Sequence, residues 1–379
     1  MNVLLIDAWG IGGITTFYAH LAKYLAGHGI TCDAFCYMDV FADEYLLKPH
    51  CRRIFKAPVT LTETLSRGDY DVVHLDTCCF NYPLSAHLHI RRARYRGAVV
   101  GMAQQPDELQ LPEGVIDELV AVSETSAAAL RVKNRQQVGI IDNGIDAQIF
   151  CPGPPEHTQP RPVLAWVGRA DDLAQKDVAG FLCLAAALRG ADYDFWLLDG
   201  AKKPSLLMDR LADWFGDRVR YVQRLPYDKL PDFYRAVAAS GGALVSTSAW
   251  EAQAFTVLEA WACGCPTIVP RAKGFEHVER FQAGLIYNRC DALEQIVGSI
   301  LPMLRDRELR SRLTSRAREV VEQEFTLDRM GGRYLSLYRQ VIERRRASNR
   351  PVWSDSAFRA FWVSHAHFRR AVAAVRGLV

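Results

Sequence analysis

Two glutamates eight residues apart, Glu251 and Glu259, stand in the stretch Ser246-Thr-Ser-Ala-Trp-Glu251-Ala-Gln-Ala-Phe-Thr-Val-Leu-Glu259-Ala-Trp-Ala-Cys-Gly264-Cys-Pro266-Thr-Ile-Val-Pro270. On one helix the pair would lie roughly 12 Å apart along the axis and about 80° round it, a poor arrangement for two groups that act together. The spacing suits a loop followed by a helix. Ala243 to Ser246 reads as a strand, Phe255 to Cys263 as a helix stopped by Gly264-Cys-Pro266, and Thr267 to Val269 as a second strand. Glu251 then lies on a loop at the carboxyl end of a strand and Glu259 in the first turns of the helix. Between them the backbone N–H groups of Ala254, Phe255 and Thr256 favour an anion. Such a site can hold a phosphate and grip hydroxyls on both sides of it.

The rest of the chain must position this stretch. Its 379 residues exceed one ordinary core and predict two domains of about 150 to 200 residues each. With 49% hydrophobic and 23% charged residues the composition is that of a globular protein. No apolar run approaches the roughly 20 residues that span a bilayer, and Met1 to Asp7 lacks the basic start of a signal peptide, so the expected location is the cytoplasm. The 10 cysteines form no C-x2-C pair, which predicts reduced thiols rather than disulfides or a zinc site.

Strand, glycine turn and helix open the chain: Val3 to Asp7 runs into Gly10-Ile-Gly-Gly13 and a helix with apolar Phe17, Leu21 and Leu25. Further strands are predicted at Thr31 to Tyr37, Asp71 to Leu75, Ala98 to Ala103, Leu119 to Val122 and Val138 to Ile141. Alternation of strand and helix predicts a mostly parallel sheet. Active groups gather where such strands end, which singles out His74, Asp76, Gln104, Gln105 and Ser123. Asn143-Gly144 marks a turn with positive φ. A proline-rich linker, 151–162, separates a first domain, 1–150, from a second, 163–325. The second begins with strand Val163 to Val167, Gly168-Arg169 and Lys176-Asp177, and continues through strands at Phe195 to Leu198 and Arg218 to Val222, with helices after Gly284-Leu-Ile-Tyr287 to about Glu324. A helix at 326–345 and a basic tail at 346–379 close the chain.

The pattern Glu-x7-Glu followed by Ala-x-Ala-x-Gly-x-Pro resembles the nucleotide-sugar site of the retaining family 4 glycosyltransferases of GT-B fold. Further signatures are similar in the family's order: Gly12-Gly13, Ala121-Val-Ser-Glu124, Ile141-Asp-Asn-Gly-Ile-Asp146 and Gly168-Arg169 with Lys176. The resemblance implies an α/β fold of two doubly wound, Rossmann-like domains facing across a cleft, with the 326–345 helix crossing back to brace the first. It implies that Glu251 contacts the donor sugar, Glu259 the ribose hydroxyls, and backbone near Arg224 and Leu225 the nucleobase. Gly12 and Gly13 let backbone approach the donor phosphates. Arg169 and Lys176 form a diphosphate clamp whose cations neutralise charge growing on the leaving group.

The implied reaction is sugar transfer from a nucleoside diphosphate sugar, UDP in preference to GDP, to an acceptor hydroxyl, with retention and without a metal or separate cofactor. The departing phosphate acts as base, so Arg169, Lys176 and Glu251 are the catalytic candidates. The acceptor, a glycan, lipid-linked glycan or small molecule, falls to the first domain at His74, Asp76, Gln104 and Gln105. This chain departs from the family pattern in three places, the first being a loop from Arg169 to Lys176 about two residues longer than the family's. Ala252 and Ala254 replace both glycines of the usual Glu-Gly-Phe-Gly, and Gln104 or Gln105 stands where a His commonly ends the strand, which leaves hydrogen bonding as its role.

Two other readings stay open. An NAD-dependent oxidoreductase could use the strand-glycine-helix start with Asp33 on the ribose, although Thr15 takes the place of the third fingerprint glycine. A non-catalytic nucleotide-sugar-binding module could have kept the fold and lost turnover. Asp69-Tyr-Asp71 and Asp192-Tyr-Asp194 precede apolar runs rather than ending them, and so read as strand starts rather than metal sites. From Gly331 to Val379 there are ten Arg, no Lys and two acidic residues, Glu343 and Asp355. Phe358, Phe361, Trp362, His365, Phe368, Val372 and Val375 recur there at helical spacing. That tail, with Arg91, Arg92, Arg94 and Arg96, suits peripheral contact with an anionic inner membrane face, or else packs on the enzyme's own first domain.

Overall fold

A computed structural model describes residues 1–8, 12–37, 43–80, 84–106, 109–111, 114–134, 136–203 and 210–348. The apolar stripe of the tail, Phe358 to Val375, and Gly10 in the opening glycine turn lie outside the described residues. The chain divides into two compact units: Met1–Ile141 with the chain from Gly331 onward, and Asp142–Met330.

In the first unit seven parallel strands, β1 (Asn2–Asp7), β2 (Thr31–Cys36), β3 (Arg53–Phe55), β4 (Val72–Asp76), β5 (Ala98–Ala103), β6 (Glu118–Ala121) and β7 (Val138–Ile140), lie in the order β3-β2-β1-β4-β5-β6-β7. Helices α1 (Gly12–Gly27), α2 (Leu61–Arg67), α3 (Ala86–Arg92) and α4 (Glu124–Lys133) connect them. The six strands expected here form within a residue or so of their expected bounds, because each is a short apolar run covered on both faces. β3 was not expected: Arg-Ile-Phe at the sheet edge is too short and too polar to carry a periodic signal.

The second unit holds six parallel strands, β8 (Val163–Gly168), β9 (Asp194–Asp199), β10 (Val219–Gln223), β11 (Ala243–Val245), β12 (Thr267–Pro270) and β13 (Leu285–Tyr287), in the order β10-β9-β8-β11-β12-β13. Helices α5 (Leu173–Lys176), α6 (Val178–Ala187), α7 (Leu211–Phe215), α8 (Leu230–Ala239), α9 (Phe255–Ala262), α10 (Glu276–Phe281), α11 (Leu293–Arg305) and α12 (Arg307–Glu324) accompany them. Alternate residues of β8 feed two cores. Val163 and Ala165 pack with Trp261, Tyr234 and Val320 on one face, and Leu164 and Trp166 with Phe181, Leu184 and Met303 on the other. Both sheets reverse direction beside their first strand, between β1 and β4 and between β8 and β11. In open α/β sheets the carboxyl ends at that reversal are where ligands bind.

Helix α13 (Leu327–Ser348) starts under Thr326, whose Oγ1 accepts from Arg329 N. From Gly331 it packs on the first unit. Gly331 is required there, since a Cβ would stand 2.1 Å from the Tyr24 ring. Tyr334 and Tyr338 are buried beside Phe17 and His74. Near its end Arg344 pairs with Glu118, Arg345 with Asp117 and Arg346 with Asp71. Three of the ten arginines counted from Gly331 are therefore occupied by acids of their own unit. Asp71 also accepts from Asn2 N, and Asp194 pairs with Arg161, so each Asp-Tyr-Asp run spends a carboxylate on the fold. Among the described residues no helix is long and apolar enough to cross a membrane.

Candidate active site

The loops that follow β8 and β11 meet at the reversal of the second sheet. β8 ends at Gly168, next to Arg169, and the chain turns through Asp172, which caps α5 by accepting from Gln175 N. Lys176 ends this one-turn helix. Asp177 follows in the left-handed region at φ 48°, unusual for a residue with a side chain. Its carboxylate offsets that conformation by accepting from Gly180 N at 3.0 Å, which caps α6, and from Arg289 at 2.8 Å. Thr247, just past β11, donates to Asp177 O at 2.7 Å and accepts from Trp166 Nε1. The Lys176 turn is thus fastened to both strands at the reversal.

Glu251 lies on the opposite loop. Its Oε1 is 2.6 Å from Lys176 Nζ, and Gln175 Nε2 donates to its Oε2 at 3.4 Å. Glu251 N donates to Lys273 O, and Gly274 passes so close, at φ +86°, that a Cβ there would stand 2.0 Å from Glu251 O. Ala252 and Ala254 are both buried, and neither needs a glycine conformation: Ala254 has φ −69°. The alanine replacements are therefore compatible with an ordinary backbone. Ala254 stands at the N-cap of α9, where it has no side-chain oxygen to offer, and Phe255 and Thr256 form the first turn.

Glu259 lies one turn further on, on the buried side of α9. Burial pushes its carboxyl up to about 7, and Tyr234 Oη donates to its Oε2 at 2.8 Å, which opposes the shift. Arg169 is about two-fifths exposed and pairs with Asp171 at 3.2 Å and Asp172 at 3.7 Å on its own loop. Asp199, at the end of β9, accepts from Ala170 N and Ala201 N through Oδ1 and from Tyr221 Oη through Oδ2. Its carbonyl accepts from Arg224 N at 2.8 Å, with Arg224 at φ 54°. One buried aspartate thus holds both the Arg169 loop and the Arg224-Leu225 segment, whose Leu225 packs on the core.

Sequence reasoning missed Asp199, Tyr234, Asp177 and Gln253. Asp199-Gly200 at the end of an apolar strand was a usable signal. The Tyr234 hydroxyl could not be matched to Glu259 across 25 residues without the packing of α8 on α9. The expected positive φ at Asn143-Gly144 is not found. Gly144 is needed because a Cβ would stand 2.5 Å from Thr326 O. Among the described residues no group of three or more His, Cys, Asp or Glu could hold a metal ion.

In the first unit Gly12, at φ +63°, and Gly13 form the exposed first turn of α1. His74 does not reach a strand end. It is fully buried and caged by Phe17, Tyr18 and Tyr334, with Nδ1 2.6 Å from Tyr338 Oη. Burial depresses it to about 3, so the imidazole is neutral and serves the core. Asp76, at the end of β4, accepts from Cys78 N at 2.8 Å and is raised to about 6 by burial. Gln104 and Gln105 follow β5 directly, Gln105 exposed and Gln104 half-buried with Nε2 3.6 Å from Met102 Sδ. Asp33, itself buried, is consumed by the half-exposed Arg52 and Arg53 and by Tyr70, which removes it as a ribose ligand and with it the oxidoreductase reading.

Two family models match the chain: "Glycosyl transferases group 1" over residues 161–320 and "Glycosyltransferase Family 4" over residues 11–149. A lipopolysaccharide core biosynthesis glycosyltransferase of Rhizobium meliloti is 26% identical over 241 residues, 61% of this chain and 66% of that one, just under two thirds of its length. A D-inositol 3-phosphate glycosyltransferase of Thermobifida fusca is 27% identical over 331 residues, 69% of this chain and 74% of that one. The crystal structure of HepE from Anabaena in complex with UDP-glucose has the same fold. It superposes with a TM-score of 0.71 at 17% identity, over 90% of this chain and 100% of that one.

Proposed function

Since the chain belongs to the family 4 glycosyltransferases of GT-B fold, a retaining family that uses nucleotide sugars, we propose that it transfers a hexose from a UDP-sugar such as UDP-glucose to a hydroxyl of a glycan, glycolipid or polyol. The observation that carries this reading is the contact of Lys176 with Glu251 at the carboxyl ends of β8 and β11. It sets a cation for the diphosphate beside the carboxylate assigned to the sugar. HepE was crystallised with UDP-glucose, the R. meliloti relative is named for lipopolysaccharide core biosynthesis and the T. fusca relative for D-inositol 3-phosphate, which supports the substrate classes.

In the proposed mechanism Glu259 accepts from the ribose hydroxyls and the Arg224-Leu225 backbone meets the base. The N–H groups at Ala254, Phe255 and Thr256 face a phosphate, where the positive end of α9 adds to the attraction. Arg169 exchanges Asp171 and Asp172, and Lys176 exchanges Glu251, for the diphosphate. Both then hold the charge that appears as the bond from C1 to the phosphate oxygen breaks. The acceptor oxygen forms its new bond to C1 on the face that the diphosphate leaves, and its proton passes to the leaving phosphate. In the first unit Gly12 and Gly13 are assigned to phosphate, and Asp76, Gln104 and Gln105 to the acceptor. The basic tail and Arg91, Arg92, Arg94 and Arg96 are assigned to contact with an anionic membrane surface that carries a lipid-linked acceptor.

A screen of nucleoside diphosphate sugars by thermal shift, followed by measurement of UDP release, tests the reading. Stabilisation by UDP-glucose with release of UDP is expected. Stabilisation without release under any acceptor would favour a binding module, and no stabilisation by any nucleoside diphosphate sugar would overturn the donor site.

A further inference from the structure

The loop between Glu251 and α9 carries a residue that the donor chemistry does not use. Gln253 is 5% exposed, and its amide makes two complementary hydrogen bonds to one short segment: Oε1 accepts from Asn143 N at 2.6 Å and Nε2 donates to Asp142 Oδ1 at 3.0 Å. Asp142 is the residue at which the second unit begins. The segment it opens is itself well anchored. Ile145 N donates to Phe325 O, Leu327 N donates to Ile145 O, and Gly144 packs on Thr326 and Met330. The Glu251 end of the loop is held by Glu251 N on Lys273 O and by the Glu251 carboxylate on Lys176 and Gln175. Ala252 and Ala254 have no polar side chain with which to fasten it.

We propose that Gln253 is a positioning residue, the clamp that fixes the Glu251–Ala254 loop to the Asp142–Asn143 segment and so sets where Glu251 and the first turn of α9 stand. The proposal rests on the donor-site reading above for its functional consequence, while the clamp itself rests on geometry alone. A primary amide suits the place because one face must accept from a backbone N–H and the other must donate to a carboxylate. A glutamate at 253 keeps the acceptor and turns the donor into a second carboxylate against Asp142. An asparagine at 142 would then supply the missing N–H, so the polarity of the pair can be exchanged as a unit.

The test is a double-mutant cycle of Gln253→Glu, Asp142→Asn and both together, with Gln253→Leu as the apolar control. It is read in two ways: by thermal unfolding without ligand, and by kcat and KM for UDP release from UDP-glucose. Gln253→Glu and Gln253→Leu are expected to lower kcat about tenfold or more and to lower Tm. Asp142→Asn alone should remain within about threefold, because its amide can turn its oxygen toward Gln253, and the double variant should return to within about threefold of the parent in kcat and recover its Tm. Unchanged kcat in Gln253→Glu, or a double variant that regains Tm but not kcat, overturns the positioning role. Should the parent itself neither bind nor turn over UDP-glucose, the donor reading falls, and the cycle in Tm alone decides whether the clamp exists.

Discussion

Lys176 Nζ lies 2.6 Å from Glu251 Oε1, across 75 residues of sequence, with both groups mostly withdrawn from solvent. A partly buried pair of this kind leaves a costly unpaired charge when one partner is removed, unlike the exposed pairs of Arg169 with Asp171 and Asp172. Both cations are assigned to the leaving diphosphate, whose charge is greater in the transition state than in the bound donor. Lys176→Ala and Arg169→Ala are therefore both expected to lower kcat more than they raise the donor KM. They should differ in the absence of donor. Lys176→Ala should lower Tm clearly, and Arg169→Ala should stay within about 0.5 kcal/mol of the parent. An effect on KM alone would assign these residues to ground-state binding.

Glu259 gives the site a pH dependence. Its carboxyl is raised by burial to about 7, above the ordinary value of 4.5, so the folded protein takes up a proton that the unfolded chain releases between those limits. Its contribution to stability is fully present below about 4.5 and is lost as pH rises through about 7. Ribose hydroxyls donate best to the ionised form, so donor affinity should fall by up to about tenfold per pH unit below 7. Glu259→Gln should abolish that dependence, raise Tm at pH 8 in the absence of donor, and weaken donor binding by about one to two decades at that pH. Calorimetry across pH 5 to 8 checks all three, and a pH-independent affinity in the parent would remove Glu259 from the ribose role.

Gly274 is expected to be intolerant of any side chain. It lies at φ +86°, and a Cβ on it would stand 2.0 Å from the Glu251 carbonyl oxygen, so Gly274→Ala must displace the loop that carries Glu251. Donor affinity should fall at least as far as in Glu251→Ala, and isothermal calorimetry with UDP-glucose compares the two directly.

Asp177 separates backbone conformation from side-chain bonding. Asp177→Gly keeps the left-handed turn and loses the bonds to Gly180 N and Arg289, whereas Asp177→Ala loses the same bonds and retains the strain. The alanine variant should be the less stable by about 1 kcal/mol. Denaturant unfolding of the two variants measures the difference, and equal stabilities would show that the turn relaxes.

The arginines near the end of α13 give the membrane proposal a sharp form. Arg344, Arg345 and Arg346 are paired with Glu118, Asp117 and Asp71, and the proposal places the attraction to anionic vesicles on residues after Ser348 together with Arg91, Arg92, Arg94 and Arg96. Flotation with phosphatidylglycerol vesicles at low salt should therefore be strong for the full chain and much weaker for a chain ending at Ser348. Failure of the full chain to float would point to an acceptor free in solution.

The sequence by itself determined the alternation of strands and helices, the two-sheet α/β class and the elements on which Glu251 and Glu259 stand. The reason is local: an apolar run of five or six residues, a Gly-Pro stop or a loop glutamate before a helix carries its meaning within one window. That is why β8, β11 and α9 stand within a residue or so of their expected bounds, and why Glu251 and Glu259 fall on loop and helix as their spacing required. Tertiary structure alone decided which of those residues meet. The order β9-β8-β11 brings Lys176 to Glu251 and Asp199 to Ala170, and the packing of α8 on α9 gives Glu259 the hydroxyl of Tyr234. It also took His74 out of the site and into an aromatic cage, and spent Asp33 on two arginines. Burial and partnership of this kind depend on strands and helices tens to hundreds of residues away, where no periodicity or spacing in one segment carries the information.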